Sequence, residues 1–280
     1  DSTFGPNLSR IVPRAAAELR WPLARTTRGG GREVLEPVIR IDIADTGGNT
    51  VPLEDSAVVE FDEANLFSHT RSPGIDGVED GARVAAGLAW RRDSPDGWKI
   101  DLAMGRVAHL EGNLGFAAGS GLAGDQSEWL FAARVVHDDR LFLMNRSLFD
   151  ERIDFTLSET RIDWRSDNFT LGSSYVFAMP EPAEGRVDRL NEWSFDGSYA
   201  LNDWWTATAD WRYDFTAGRS ARTGIGLGYR NECIDVTFSL SRRFAESTSV
   251  NPTTELGVRV GLLGTGRDPN GRPRRSTCRG

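Results

Sequence analysis

Apolar and polar side chains alternate along most of this chain, most cleanly towards its end. From Trp204 to Phe215, Trp205, Ala207, Ala209, Trp211, Tyr213 and Phe215 share one parity, and Thr206, Thr208, Asp210, Arg212 and Asp214 share the other. A strand sends successive side chains to opposite faces, so this run predicts one apolar and one strongly polar face. Ile234, Val236, Phe238 and Leu240 repeat the pattern against Asp235, Thr237, Ser239 and Ser241. So do Leu256, Val258, Val260 and Leu262 against Glu255, Gly257, Arg259 and Gly261. A water-soluble sandwich would cover the apolar face with a second sheet. In an outer-membrane barrel that face meets lipid, and the polar face lines a wet interior.

The same reading along the whole chain predicts about thirteen strands. The first runs from Ile11 to Leu23. The second carries Leu35, Ile39, Ile41 and Ile43 against Glu36, Arg40 and Asp42. After a long polar loop, strands follow around Val84–Trp90, Trp98–Met104 and Trp129–Val135. Leu141–Phe149 alternates poorly, and the apolar parity switches once between Phe155 and Trp164, which suggests a bulge or a shorter strand. Phe169–Phe177 and a strand near Leu190 lead to the runs described above. Connections after odd-numbered strands are mostly tight (Ser94–Gly97, Asp138-Asp139, Ser166–Asn168, Asn202-Asp203, Asn231–Cys233), and those after even-numbered strands are mostly longer. Short periplasmic turns alternating with long extracellular loops are an outer-membrane pattern, and a propeller or stacked sandwich does not predict it. Trp98, Trp164, Trp204 and Trp205 lie beside tight turns, as an interfacial girdle would. The fold expected is an all-β, antiparallel transmembrane barrel segment.

Composition narrows the function. The formal net charge of −8 argues against a nucleic-acid partner, because phosphate binding needs basic surface. Mean hydropathy is −0.40, and no stretch reaches the ~18 apolar residues of a transmembrane helix. Strands of ~9–11 residues with one polar face cross a membrane without such a stretch. The chain opens at Asp1 without a signal peptide, which suggests a mature protein or a fragment. Two cysteines, Cys233 and Cys278, allow one disulfide in an oxidising compartment but no disulfide scaffold.

Three stretches carry a family resemblance. Phe61-Asp-Glu-Ala-Asn-Leu-Phe67, continuing to Arg71-Ser-Pro-Gly-Ile-Asp76, resembles the signature loop of the lipopolysaccharide-assembly family, LptD. Its marker positions here are Phe61, Leu66, Phe67, Arg71, Gly74 and Asp76, and it departs at Gly77, where an Arg often follows. Leu35-Glu36-Pro37 and Leu227–Cys233, followed by Leu240–Phe244, also resemble that family. The resemblance implies residues 1–264 as roughly the C-terminal half of a larger barrel, followed by a periplasmic tail, residues 265–280. It further implies the outer membrane of a Gram-negative bacterium, lipopolysaccharide as cargo, an LptE-like plug lipoprotein inside the barrel and a periplasmic jelly-roll domain upstream. Cargo would leave sideways beside the last strand, with Leu256, Val258, Val260 and Leu262 on that gate strand. By the same resemblance Cys233 bonds a cysteine of the jelly-roll domain; a local bond to Cys278 is the competing reading.

Candidate chemistry adds little. His69, His109 and His137 are far apart and lack metal-ligand spacing. Gly119-Ser120-Gly121 reads as a flexible loop, not a nucleophile elbow, so no catalytic residue, cofactor or metal is expected. Gly224, Gly226 and Gly228, on the polar parity, either bend the wall or leave room for a plug. Asp210, Arg212 and Asp214 on that parity are candidate interior contacts, for which a solvated lumen is the simpler account. The rival class is a passive porin-like or autotransporter-type channel, expected to end on a terminal aromatic strand.

Overall fold

The computed structural model describes residues 9–49, 51–52, 54–55, 59–111, 115–244 and 252–263. It contains sixteen strands: β1 (Arg10–Ile11), β2 (Arg14–Arg20), β3 (Leu23–Thr26), β4 (Arg32–Ala44), β5 (Gly47–Gly48), β6 (Gly81–Asp93), β7 (Trp98–His109), β8 (Trp129–His137), β9 (Leu141–Phe149), β10 (Phe155–Arg165), β11 (Phe169–Ala178), β12 (Leu190–Ala200), β13 (Trp205–Asp214), β14 (Arg219–Arg230), β15 (Ile234–Arg243) and β16 (Thr253–Leu262). Fourteen of them form one sheet, in the order β16-β15-β14-β13-β12-β11-β10-β9-β8-β7-β6-β4-β2, with β3 also on β4. β1 and β5 pair separately. The all-β expectation holds, and each predicted strand has a counterpart. The tail, residues 265–280, lies outside the described residues.

The first predicted strand is the one that breaks. It divides into β1, β2 and β3 at Pro13 and Pro22, which bring no N–H to a ladder. β2 pairs with the far half of β4 (Ala17↔Ile41), and β3 resumes on its near half (Leu23↔Leu35).

By contact density the chain divides into two compact units, residues 1–160 with 176–190 and residues 161–175 with 191–280. In the first unit Ile39, Ile41, Ile43, Leu88 and Met104 are exposed on one face, here called the outer face. The opposite, inner face of the same strands carries Asp42 and Arg83, both buried. An exposed apolar face backed by a buried polar one inverts the pattern of a water-soluble sheet. A lipid-facing wall requires this arrangement. What buries the inner face is the segment from Val59 to Asp80. It packs Phe61 and Leu66 onto Ala85, Val107, Leu130 and Leu148, joined by Leu122 from the loop after β7.

That covering explains two irregular stretches. β9 alternates poorly because both its faces mix residue types: Leu148 joins the inner cluster beside the loop-clamping Arg146, while on the other parity Ser147 is buried against the Ser158 hydroxyl. β10 runs unbroken through the parity switch. Leu157 packs against the inner cluster, while Ile162 and Trp164 at the other end of the strand are exposed on the outer parity.

In the second unit β12 to β16 form a regular meander, with one register shift at Arg212/Tyr213. Phe238 faces Val258 and Leu240 faces Leu256 across β15 and β16, and all four are exposed. Aromatic pairs stand beside the tight turns in each unit. Trp98 stacks on His137 at 4.3 Å, Trp164 meets Phe169 edge-on at 4.8 Å, and Trp205 meets Tyr229 at 5.0 Å.

Candidate functional site: a loop seated on the inner face

The loop starts with a local lock. Asp62 Oδ1 accepts from the N–H groups of Ala64 and Asn65 at 3.0 and 2.9 Å, and Asn65 Oδ1 accepts from Asp62 N–H at 3.0 Å. Asp and Asn favour such side-chain turns over strand ladders, and this one aims Phe61 and Leu66 at the sheet. Beneath them Gly87 of β6 and Gly105 of β7 are directly paired. A Cβ on Gly105 would stand 2.5 Å from Leu66 Cδ2, and one on Gly87 would stand 2.9 Å from Phe67 Cζ. The two glycines are therefore the socket for the loop's apolar knob. Arg146 of β9 clamps the turn from the far side, 3.4 Å from Asp62 and 3.2 Å from Glu63. Arg20 lies over the Phe67 ring at 5.7 Å.

The second half of the loop is held by charge. Arg71 is buried and pairs through Nη2 and Nε with both carboxylate oxygens of Glu79, which is equally buried. Arg83 donates to the carbonyls of Glu79 and His69, and its Nε is 3.5 Å from Glu79. Asp42 accepts from Arg40 at 2.7 Å and contacts His69 Nδ1 at 2.9 Å, and Arg40 reaches Glu18 at 3.0 Å. Three guanidiniums (Arg40, Arg71, Arg83) thus meet three carboxylates (Glu18, Asp42, Glu79). Buried charge is tolerated only when compensated in this way. The loop's tip closes on Asp55, whose Oδ2 accepts from Asp76 and Gly77 N–H at 2.9 and 2.8 Å. Gly74 lies so close under the Asp55 carboxylate that any Cβ there would overlap it. Arg10 donates to the Asp76 carbonyl at 2.6 Å.

The six marker residues of the loop are therefore brought together on and around one face. Glu79, Arg83, Gly87 and Gly105 complete the arrangement, and sequence reasoning passed over them. The signal for the glycines was available, since both interrupt strand patterns, but their pairing across two strands depends on register. Nothing in the sequence separates Glu79 and Arg83 from ordinary solvated charges.

The other candidates are dispersed. The space above Gly224 and Gly226 is occupied by the Asp210 and Thr208 side chains of β13, while Gly228 is open apart from the Thr206 carbonyl at 3.8 Å. Asp210 pairs with Arg222 at 3.4 Å, and Arg212 stands 4.0 Å from Glu192. Asp214 closes the turn after β13, accepting from Ala217 N–H at 2.9 Å. Leu256, Val258, Val260 and Leu262 are all exposed on β16, which among the described residues pairs with β15 alone. Cys233 lies in the turn between β14 and β15, held by Asn231 Oδ1 at 2.9 Å from its N–H, and is disulfide-bonded. The chain's other cysteine, Cys278, lies outside the described residues. Among the described residues no three His, Cys, Asp or Glu side chains are grouped to hold a metal, and no helix is long and apolar enough to cross a membrane. The arrangement covers the inner face of these strands and seals it with paired charge.

An antiparallel meander with an apolar outer face, a charged inner face and an inward-folded loop is the wall of an outer-membrane β-barrel. Residues 2–202 match the family described as LptD, LPS transport system D, and the chain belongs to that family. It is an outer-membrane protein. It is 20% identical over 296 residues to the LPS-assembly protein LptD of Vibrio cholerae, covering 95% of this chain and 38% of that protein. It is 17% identical to the corresponding Vibrio vulnificus protein, covering 94% of this chain and 37% of the relative. With the Aeromonas salmonicida protein the identity is 21%, covering 85% and 31%. The chain thus spans less than two fifths of the length of these relatives. Among solved structures, a Rhodopseudomonas blastica porin mutant aligns at TM-score 0.35 and 11% identity, covering 88% of this chain and 80% of the porin. Outer membrane phospholipase A from Escherichia coli aligns at TM-score 0.28 and 12% identity, covering 89% and 77%.

Proposed function

We propose that this chain forms part of a lipopolysaccharide translocon and that cargo enters the outer leaflet through a seam beside β16. The observation that carries the reading is the family match over residues 2–202, joined to an edge strand that pairs on one side only among the described residues. An open strand edge is unstable in hydrocarbon unless a partner closes it. A seam closed by few or weak ladder bonds is the part of a barrel wall that opens at least cost. In the intact protein the partner would be the first strand of the whole barrel. A plug lipoprotein of the LptE kind would occupy the interior, and a periplasmic jelly-roll domain would deliver the cargo. The Val59–Asp80 loop narrows the interior on the side of the first unit.

The test is a disulfide between Val258→Cys and the facing position of the first strand in the full-length protein. Surface lipopolysaccharide should fall while the barrel still shows folded, heat-modifiable migration. Undiminished export with the seam covalently closed would reject the gate.

By the family resemblance Cys233 would bond a cysteine of the upstream jelly-roll domain, and Cys278 is the competing partner. Peptide mapping of the full-length protein without reductant should recover Cys233 linked to an upstream cysteine. A peptide joining Cys233 to Cys278 would instead end the inter-domain reading.

A further inference from the structure

At the tight-turn end of the outer face, the Trp21-Pro22 break shifts the chain from β2 to β3 and leaves a concavity of about 310 Å³. Leu23, Leu35 and Trp90 supply its apolar lining. They sit between the Thr27–Gly31 turn and the Ser94–Gly97 turn, at the rim of the sheet. Over this lining stand three charged groups. Glu33 is almost fully buried, with its side chain 8% exposed, and binds Arg25 at 2.6 Å. Arg92 approaches the other Glu33 oxygen at 3.7 Å and donates through Nε to Ser94 Oγ at 3.1 Å. The two guanidiniums remain open to the surroundings, Arg25 at 76% and Arg92 at 43% exposure. One carboxylate offsets one of the two cations, so the rim keeps a surplus positive charge directly above an apolar hollow.

On the outer face of a barrel the surroundings at this level are lipid headgroups, with acyl chains alongside. Guanidinium groups bind phosphate oxygens bidentately, and their stems tolerate an apolar setting. We propose that Leu23, Leu35, Trp90, Arg25 and Arg92 form a binding site for an anionic glycerophospholipid. An acyl chain lies in the hollow and the phosphodiester lies across the two guanidiniums. Glu33 pairs with both Arg25 and Arg92 and so competes with the lipid phosphate for them. The site depends on the outward orientation of the apolar parity and is independent of whether the protein transports lipopolysaccharide.

The full-length protein in detergent is incubated with phosphatidylglycerol, phosphatidylcholine or lipopolysaccharide, and retained lipid is counted by native mass spectrometry. Phosphatidylglycerol should be retained over phosphatidylcholine, by on the order of fivefold for each guanidinium engaged. Arg25→Gln/Arg92→Gln should reduce retention to the phosphatidylcholine level. Glu33→Gln separates binding from a merely structural ion pair. If the cluster only braces the strands, Glu33→Gln weakens retention as the arginine variants do; if it is a lipid site, removing the competing carboxylate raises retention of phosphatidylglycerol. Equal retention of the two glycerophospholipids, preference for lipopolysaccharide, arginine variants that match wild type, or a loss with Glu33→Gln would each overturn the proposal.

Discussion

Gly105→Ala tests the seating of the signature loop. The new methyl would stand 2.5 Å from Leu66 Cδ2 and 2.8 Å from the Ala86 carbonyl oxygen. The second contact is with backbone, so part of the cost falls on the sheet whatever the loop does. The first is with the tip of one side chain that is 2% exposed and can be removed. Leu66→Ala alone removes a fully buried leucine tip and leaves a cavity over the glycine pair, a loss of roughly 2–5 kcal/mol. In the double variant the methyl added at Gly105 enters the space Leu66 vacated, so the two losses should not add. A coupling of about 1–3 kcal/mol in the favourable direction is expected for residues in direct contact. The loop reports it through hydrogen exchange at Leu66 and Ser68, whose N–H groups bond within the loop to Asp62 and Asn65. Since ~1.4 kcal/mol is a factor of ten, Leu66→Ala should speed that exchange between about 30-fold and a few thousand-fold. With Gly105→Ala added, exchange should be slower than the two single effects together require, by about 5-fold to a hundredfold. Strict additivity, or unchanged exchange in Leu66→Ala, would show that Leu66 does not hold the loop on the sheet.

Three further outcomes are expected. Glu79→Gln should loosen the loop more than Arg71→Met, because the first strands two buried guanidiniums, at ~3–5 kcal/mol, while the second leaves Glu79 beside Arg83; protease nicking near Ser72–Gly77 ranks them, and the reverse order would refute the charge count. Phe238→Arg should impair barrel assembly by ~2–4 kcal/mol, and Ser239→Arg on the opposite face should be tolerated; equal heat-modifiability of the two variants would refute the orientation. Burial pushes the Glu128 carboxyl above its ordinary range, and the Thr156 hydroxyl bond only partly opposes this. Its folded form prefers the proton, so its contribution is best at low pH and is lost as pH rises from 4.5 through the elevated folded value. Glu128→Gln should therefore be at least as stable as wild type at neutral pH, with a flatter profile down to acid; a variant weaker at neutral than at acid pH would contradict the sign.

The strands from β4 onward, most of their faces and the alternation of tight and longer connections were legible in the sequence by itself. The reason is that they are local: parity repeats every second residue, and turn residues lie next to the strands they join. The family resemblance was legible as well, because the Phe61–Asp76 loop is one continuous stretch. Why that loop has its composition was decided only by tertiary structure. Leu66 needs Gly87 and Gly105, Glu79 needs Arg83, and His69 needs Asp42, partners drawn from β4, β6 and β7 by a register no local pattern encodes. The same contacts turn the polar parity of β4 and β6 into a buried charged floor and make the inner parity of β9 and β10 apolar near the loop end. The two prolines that divide the first strand were visible throughout. Their consequence, a basic-rimmed hollow on the outer face, arises only where β3 resumes pairing on β4 beside Trp90.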